Sequence, residues 1–132
     1  MRGFERFGMW ANLGARVLEE EPGEAVVEGL VTTDAHGFPT SRGAIVHGGA
    51  IAALADMALA TAGSSVAPDG QVVTTVDLRI DFLQVARPCR LVARGTVRRR
   101  TRRLCFASAT VEQAEDGTVI AEARALLTYV PR

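Results

Sequence analysis

The chain has 132 residues, a formal net charge of +0, 48% hydrophobic residues and only 5% aromatic ones. That length suits one domain, spanning 1–132, with a core built from Val, Leu, Ile and Ala. The charge balance excludes a general nucleic-acid binder, and the hydrophobic content excludes a disordered chain.

All 15 basic residues are arginine, whose planar fork suits phosphate groups. Cys89 and Cys105 belong to no CxxC and stand near no histidine cluster, so they read as free thiols in strands rather than zinc ligands. A disulfide or a nucleophilic thiol is the alternative. Met1–Trp10 is mixed in character rather than signal-like, and no apolar run reaches the roughly 20 residues that a membrane span needs. The expectation is a cytoplasmic, reducing location.

Along the chain, Phe4, Phe7 and Trp10 recur at a helical spacing and predict a short helix or arm. Arg16–Glu20 and Glu24–Thr33 read as strands joined by the turn dipeptide Pro22-Gly23. Thr32–Arg42 shows no periodicity and reads as a loop long enough to be functional, with His36 as a loop residue. His47–Ala62 follows as a helix. Ile51, Leu54, Ala55, Ala58, Leu59 and Ala62 form one face, and Ala52, Ala53, Asp56 and Ala60 form the adjoining stripe. Gly63 is the expected left-handed terminator. A helix this apolar on all sides belongs inside a protein.

From Pro68-Asp69-Gly70 onward the pattern is strand-like. In Val72–Phe82, Val76, Leu78, Ile80 and Phe82 alternate with Thr75, Asp77, Arg79 and Asp81. Arg87-Pro88 interrupts, and Leu91–Arg98, Leu104–Val111 and Val119–Val130 complete the set, the last two separated by the hairpin signal Asp116-Gly117. Short turns predict antiparallel neighbours. A single sheet wrapping one apolar helix is the economical arrangement, and its open edges predict a dimer with a continuous sheet.

The segment VHGGAIAALADMA (Val46–Ala58), with TVDLRIDFL (Thr75–Leu83) and Thr118–Tyr129, closely resembles the phenylacetic-acid-degradation type of acyl-CoA thioesterase. The resemblance covers about Gly29 to Val130 and implies an α+β hotdog fold, an antiparallel sheet around one central helix. It also implies hydrolysis of acyl-CoA thioesters, a dimer-of-dimers homotetramer with the active site between subunits, and no cofactor, CoA being part of the substrate. Carried over by position, Asp56 matches the carboxylate that acts as general base or nucleophile. Gly48 matches the glycine whose N–H binds the thioester carbonyl, and His47 matches the histidine that shapes the start of the helix. Thr75 matches a Ser/Thr that helps hold the water. Ser41 stands where many members carry an asparagine, so a hydroxyl of shorter reach replaces an amide.

The chemistry of these residues agrees with those roles. A carbonyl under attack by water develops negative charge. The first N–H groups of a helix lack intrahelical partners and lie at its positive end. Gly48 and Gly49 carry no side chain to block approach; the alternative is that they only permit tight packing. Alanines around Asp56 leave room for substrate and keep the surroundings dry, as a general base requires; the alternative is a structural Asp held by a partner-subunit donor. His47 and Asp56 are nine residues apart, about 13 Å along a helix axis, so one carbonyl cannot be served by both ends within one subunit. Eight of the arginines fall between Arg87 and Arg103. Arg100, Arg102 and Arg103 at the turn either bind CoA phosphates or form a solvated hairpin tip. No metal site and no nucleic-acid or membrane partner is expected. Two competing functions remain: a hotdog dehydratase or hydratase, since His36-Gly37-Phe38-Pro39 faintly resembles that branch's motif, and a non-catalytic acyl-CoA or aromatic-ligand binding module.

Overall fold

The computed structural model describes residues 2–132; Met1, the first residue of the mixed N-terminal stretch, lies outside the described residues. A 3-10 turn at Gly3–Arg6 and a short helix α1 at Gly8–Asn12 open the chain. The Phe4 ring meets Trp10 edge-on at 4.8 Å, while Phe7 is largely exposed rather than sharing that face. Strands β1 (Arg16–Glu21) and β2 (Glu24–Val31) form a hairpin. Gly23 turns it at φ +81°, a backbone conformation that side chains resist.

The expected loop contains a short helix α2 (Thr33–His36) and a strand β3 (Gly37–Phe38), which pairs with β4 (Ile45–Val46). His36 is therefore not a loop residue but a buried one. Its Nδ1 accepts from the Thr32 N–H at 3.0 Å and its Nε2 lies 2.7 Å from Asn12 Oδ1.

The central helix α3 runs from Gly48 to Ser64. Four strands follow it: β5 (Gln71–Phe82), β6 (Cys89–Arg100), β7 (Leu104–Gln113) and β8 (Val119–Pro131). The main sheet has the order β1-β2-β6-β7-β8-β5 and is antiparallel throughout. α3 packs across one face of it, touching β2, β5, β6, β7 and β8. This is the hotdog arrangement.

Short turns do join β6, β7 and β8 in sequence, but β5 pairs with β8 instead of with β6. The connection around Arg87-Pro88 carries the chain across the sheet, and the Val46 N–H, donating to the Ala86 carbonyl at 2.9 Å, ties that crossing to β4.

Ile51, Leu54 and Leu59 point into the core, and burial of each such side chain contributes about 1.5–3 kcal/mol. Between them, alanines bring the helix backbone close to the sheet. At Gly95 on β6, an added Cβ would stand 2.5 Å from the Ala58 carbonyl oxygen. Gly63 likewise serves approach rather than termination. It lies inside the helix without a left-handed φ, a Cβ there would meet Leu127 Cδ1 at 2.7 Å, and the helix continues to Ser64, with Ser65 as its C-cap.

Because the obstruction at Gly95 is backbone, it cannot rotate away. Gly95→Ala is expected to destabilise the protein by about 1–3 kcal/mol, read as a lower urea midpoint with an unchanged m-value. A midpoint equal to wild type would mean that the helix does not rest on Gly95.

Candidate active site

The start of α3 is built by its flanking segments. The His47 N–H donates to the His36 carbonyl at 2.8 Å, and Arg87 Nη1 donates to the Ala44 carbonyl at 3.1 Å. The His47 ring is exposed and packs against Phe38 with centroids 5.1 Å apart. As N-cap residue it makes no side-chain cap hydrogen bond. The N–H groups of Gly48 and Gly49, the first two residues of the helix, therefore meet neither an intrahelical acceptor nor a cap from His47.

The two glycines differ. A Cβ on Gly48 would stand 2.8 Å from Phe82 Cζ, whereas Gly49 has open space around it. An apolar groove of about 470 Å³ opens here, lined by Ile45, Val46, Gly48, Ile51, Phe82 and Val85. Sequence reasoning assigned no role to Phe82. Its signal was its place in an alternating strand, which says that it packs but not that it packs on the glycine at the helix start.

Asp56 lies at mid-helix on the half-buried stripe with Ala52, Ala53 and Ala60. The Thr75 hydroxyl donates to Asp56 Oδ1 at 2.7 Å. Simple alternation would place Thr75 on the opposite face from Leu78 and Ile80. A β-bulge between Thr75 and Asp77 removes that conflict: Val76 drops out of the pairing, and Thr75 and Leu78 both turn toward α3. Val76 itself is 57% exposed.

The remaining candidates lie apart from this pair. Ser41 is exposed in the Thr40–Gly43 turn, which is held by backbone hydrogen bonds and by the Thr40 hydroxyl. Arg100, Arg102 and Arg103 flank the β6–β7 turn at the far end of α3. There the Arg100 guanidinium sits 5.3 Å from the Tyr129 ring centroid, and Arg102 and Arg103 line a cleft with Gln71, Thr128 and Tyr129. The Tyr129 hydroxyl donates to the Gly63 carbonyl at 3.1 Å, so the cluster stands about 22 Å along the helix from Gly48. Both cysteines are free, Cys105 buried and Cys89 half-buried. Burial first, then Asp116 and Glu115, push the Cys89 thiol up, which opposes a nucleophilic role.

Residues 43–120 match the Thioesterase superfamily. Among solved structures, a thioesterase family protein from Silicibacter pomeroyi is 27% identical over 98% of this chain and 93% of its own, with a TM-score of 0.85. A thioesterase superfamily protein is 31% identical over 94% of this chain and 90% of its own, with a TM-score of 0.83. A phenylacetic acid degradation-related protein from Ralstonia eutropha is 26% identical over 89% and 86%, with a TM-score of 0.78. No curated protein matches the chain.

The Tyr129 contact at the end of α3 has a pH signature. Burial, with Cys105 alongside, pushes the phenol from its ordinary 10 up to about 12, against the opposing pull of Arg100. The folded state thus favours the protonated phenol. That contribution is fully present below about pH 10 and is lost as pH rises through about 12. Tyr129→Phe is expected to cost about 1 kcal/mol at neutral pH and to flatten the alkaline fall in stability, measured by urea titration at several pH values. An unchanged alkaline slope would remove Tyr129 as its source.

Proposed function

The chain belongs to the thioesterase superfamily and is a thioester hydrolase, and on that premise we propose that it hydrolyses a small or aromatic acyl-CoA to the free acid and CoA. The observation that carries this reading is the Asp56–Thr75 pair. The Thr75 hydroxyl holds Oδ1, and Oδ2 accepts no protein hydrogen bond among the described residues, so it is the oxygen open to a water. In this reading Oδ2 takes a proton as the water oxygen bonds to the thioester carbon. The Gly48 N–H stabilises the developing oxyanion. Collapse breaks the C–S bond, and the CoA sulfur leaves with the proton taken by Asp56. The groove beside Gly48 accepts the apolar acyl portion. The phenylacetic acid degradation-related neighbour supports an aromatic one. Asp56 as nucleophile is the variant of this mechanism, with the same residues.

Gly48 and Asp56 lie eight residues apart, about 12 Å along the axis. We therefore place each site between two copies, Asp56 from one and Gly48 from the other. The sheet edges support this. β1 is short, bulged between Val17 and Glu19, and carries Glu19, Glu20 and Glu21, the devices that discourage pairing. β5 is twelve residues long, with its outer edge unpaired among the described residues. Pairing of two β5 edges gives a continuous sheet, and two such dimers give a tetramer. No helix among the described residues is long and apolar enough to cross a membrane, and two free thiols fit a cytoplasmic location. Ser41 and Gly49 keep supporting roles at the site, and Arg100, Arg102 and Arg103 bind the CoA phosphates.

The dehydratase reading loses its base. Both ring nitrogens of His36 are engaged, by Thr32 and Asn12, and the ring is buried. A binding module would keep the groove and lose the water site, which the Asp56–Thr75 hydrogen bond argues against.

Purified protein offered a panel of acyl-CoA thioesters with a thiol-trapping dye should release thiol, and Asp56→Asn should lower kcat by at least about 10²-fold. Wild-type turnover in Asp56→Asn would overturn the assignment, and no release by folded wild type would overturn the acyl-CoA reading. For the arginine turn, Arg102→Ala with Arg103→Ala should raise KM for CoA substrates by roughly tenfold with kcat nearly unchanged. Adding Arg100→Ala should raise it further, although Arg100 also covers Tyr129. An unchanged KM would return the turn to solvated surface.

A further inference from the structure

The groove beside Gly48 is closed at two places, once by backbone and once by a side chain. It lies between Ile45–Val46 with the start of α3 on one side and the segment 82–86 on the other. At Ala86 the two sides are joined by main chain, the Val46 N–H donating to the Ala86 carbonyl at 2.9 Å. At Gly48 the closure is the Phe82 ring, the one aromatic side chain in the lining. A Cβ added to Gly48 would stand 2.8 Å from Phe82 Cζ and 3.2 and 3.3 Å from Cε1 and Cε2. The ring therefore meets the glycine tip-first, and the three atoms nearest to that position all belong to it.

The ring has little freedom to leave. Gly48 blocks a swing toward the helix. Phe82 pairs with Ala121 of β8, and the next residue, Leu83, donates its N–H to the Ile120 carbonyl at 2.8 Å. Yet Phe82 is 49% exposed, so it adds less to the core than a buried ring would. What it does is fill the space beside the glycine.

We propose that Phe82 is a specificity-determining residue of this site, its ring setting the length of acyl group that fits with its carbonyl on the Gly48 N–H. This role rests on the acyl-CoA reading and deepens it. An acyl chain so placed starts beside the ring tip and lies along Ile51, Val85 and Ile45 toward Ala86. A short group is covered there. A longer one meets main chain at one end and the ring at the other. Removing the ring leaves Gly48 and its N–H in place and opens one end alone. Such a change alters which acyl group is accepted more than it alters the chemistry. One methylene accepted or refused by an apolar pocket changes relative rates by about 10–200-fold.

The test uses straight-chain acyl-CoA thioesters of increasing length, with S-alkyl-CoA thioethers of the same lengths, which bind without being hydrolysed. Kinetics give kcat/KM for the first series, and isothermal titration gives Kd for the second. Wild type should fall off beyond a short chain in both. Phe82→Ala should move the optimum to longer chains, raising kcat/KM for long relative to short chains by at least about tenfold, mainly through KM. Phe82→Leu, which keeps part of the bulk, should lie between the two and serves if Phe82→Ala does not fold. Far-ultraviolet circular dichroism checks that each variant is folded. The contact itself is read by stability: Gly48→Ala should lower the urea midpoint of wild type but not of Phe82→Ala. An optimum unmoved in the folded variants, or an equal loss at every length, would overturn the proposal; the second is what a merely structural ring would give. So would a wild type indifferent to length, or an equal effect of Gly48→Ala in both backgrounds. Thiol release with an unmoved optimum would overturn the role of Phe82 and leave the hydrolysis standing. Thioether binding whose optimum moves in the variants supports that role even without turnover. Folded wild type that neither binds a thioether nor turns over a thioester would overturn both.

Discussion

An almost wholly apolar helix must be covered on nearly every side, and covering α3 is the constraint on which the rest of the structure depends. Its alanines bring the backbone to the sheet, and Gly95 admits the Ala58 carbonyl where any side chain would collide. Six strands are wide enough to wrap it, but one sheet cannot close around a helix. A stripe of Ala52, Ala53, Asp56 and Ala60 stays half-buried. A lone carboxylate is tolerable there because it is neither fully desolvated nor unpartnered. The Thr75 hydroxyl bonds to it, and the stripe keeps some access to water. The placement of the acid follows from the one part of the helix surface that the fold cannot cover.

Most of the strands were legible because alternation and turn residues are local signals. β1, β2, β6, β7 and β8 fall within a few residues of their expected bounds. What alternation could not show was where the alternation fails. Val76 continues the apolar pattern of Leu78 and Ile80, yet the bulge leaves it exposed and turns Thr75 inward. Gly63 looked like a terminator because glycine after an apolar run usually is one. Its role here depends on Leu127, distant in sequence. The pairing of β5 with β8 depends on a crossing through Arg87-Pro88 whose path no local pattern encodes. His36 lay in a segment without periodicity, and only Asn12 and Thr32, brought to it by tertiary folding, make it a core residue.

The candidate site divides in the same way. Asp56 stood out because an acid in an alanine-rich helix is costly unless something uses or holds it, and the glycines stood out because they open that helix. Thr75 came from resemblance alone, since plain alternation puts it on the wrong face. Phe82 escaped notice because its contact with Gly48 is made between segments far apart in the chain. The arginine turn was visible as a cluster. Its position at the Gly63 end of α3, far from Gly48, follows only from the register of β6, β7 and β8 and the reach of Tyr129.

These threads meet on β5. Its inward residues, Thr75, Leu78 and Ile80, face the helix, and the Thr75 hydroxyl holds Asp56. Its outward residues, Arg79 and Asp81, stand opposite Arg124 and Glu122 on the far side of the sheet. Its outer edge is unpaired among the described residues. One strand thus faces three surroundings at once, which explains why a strand beside a hydrophobic core has so many exposed positions, Val76 and Phe82 among them. The bulge is what makes the three compatible. Without it, the face that presents Leu78 and Ile80 to the helix would send Thr75 to the charged side. With it, hydroxyl, core and charge each reach their own face from one continuous strand.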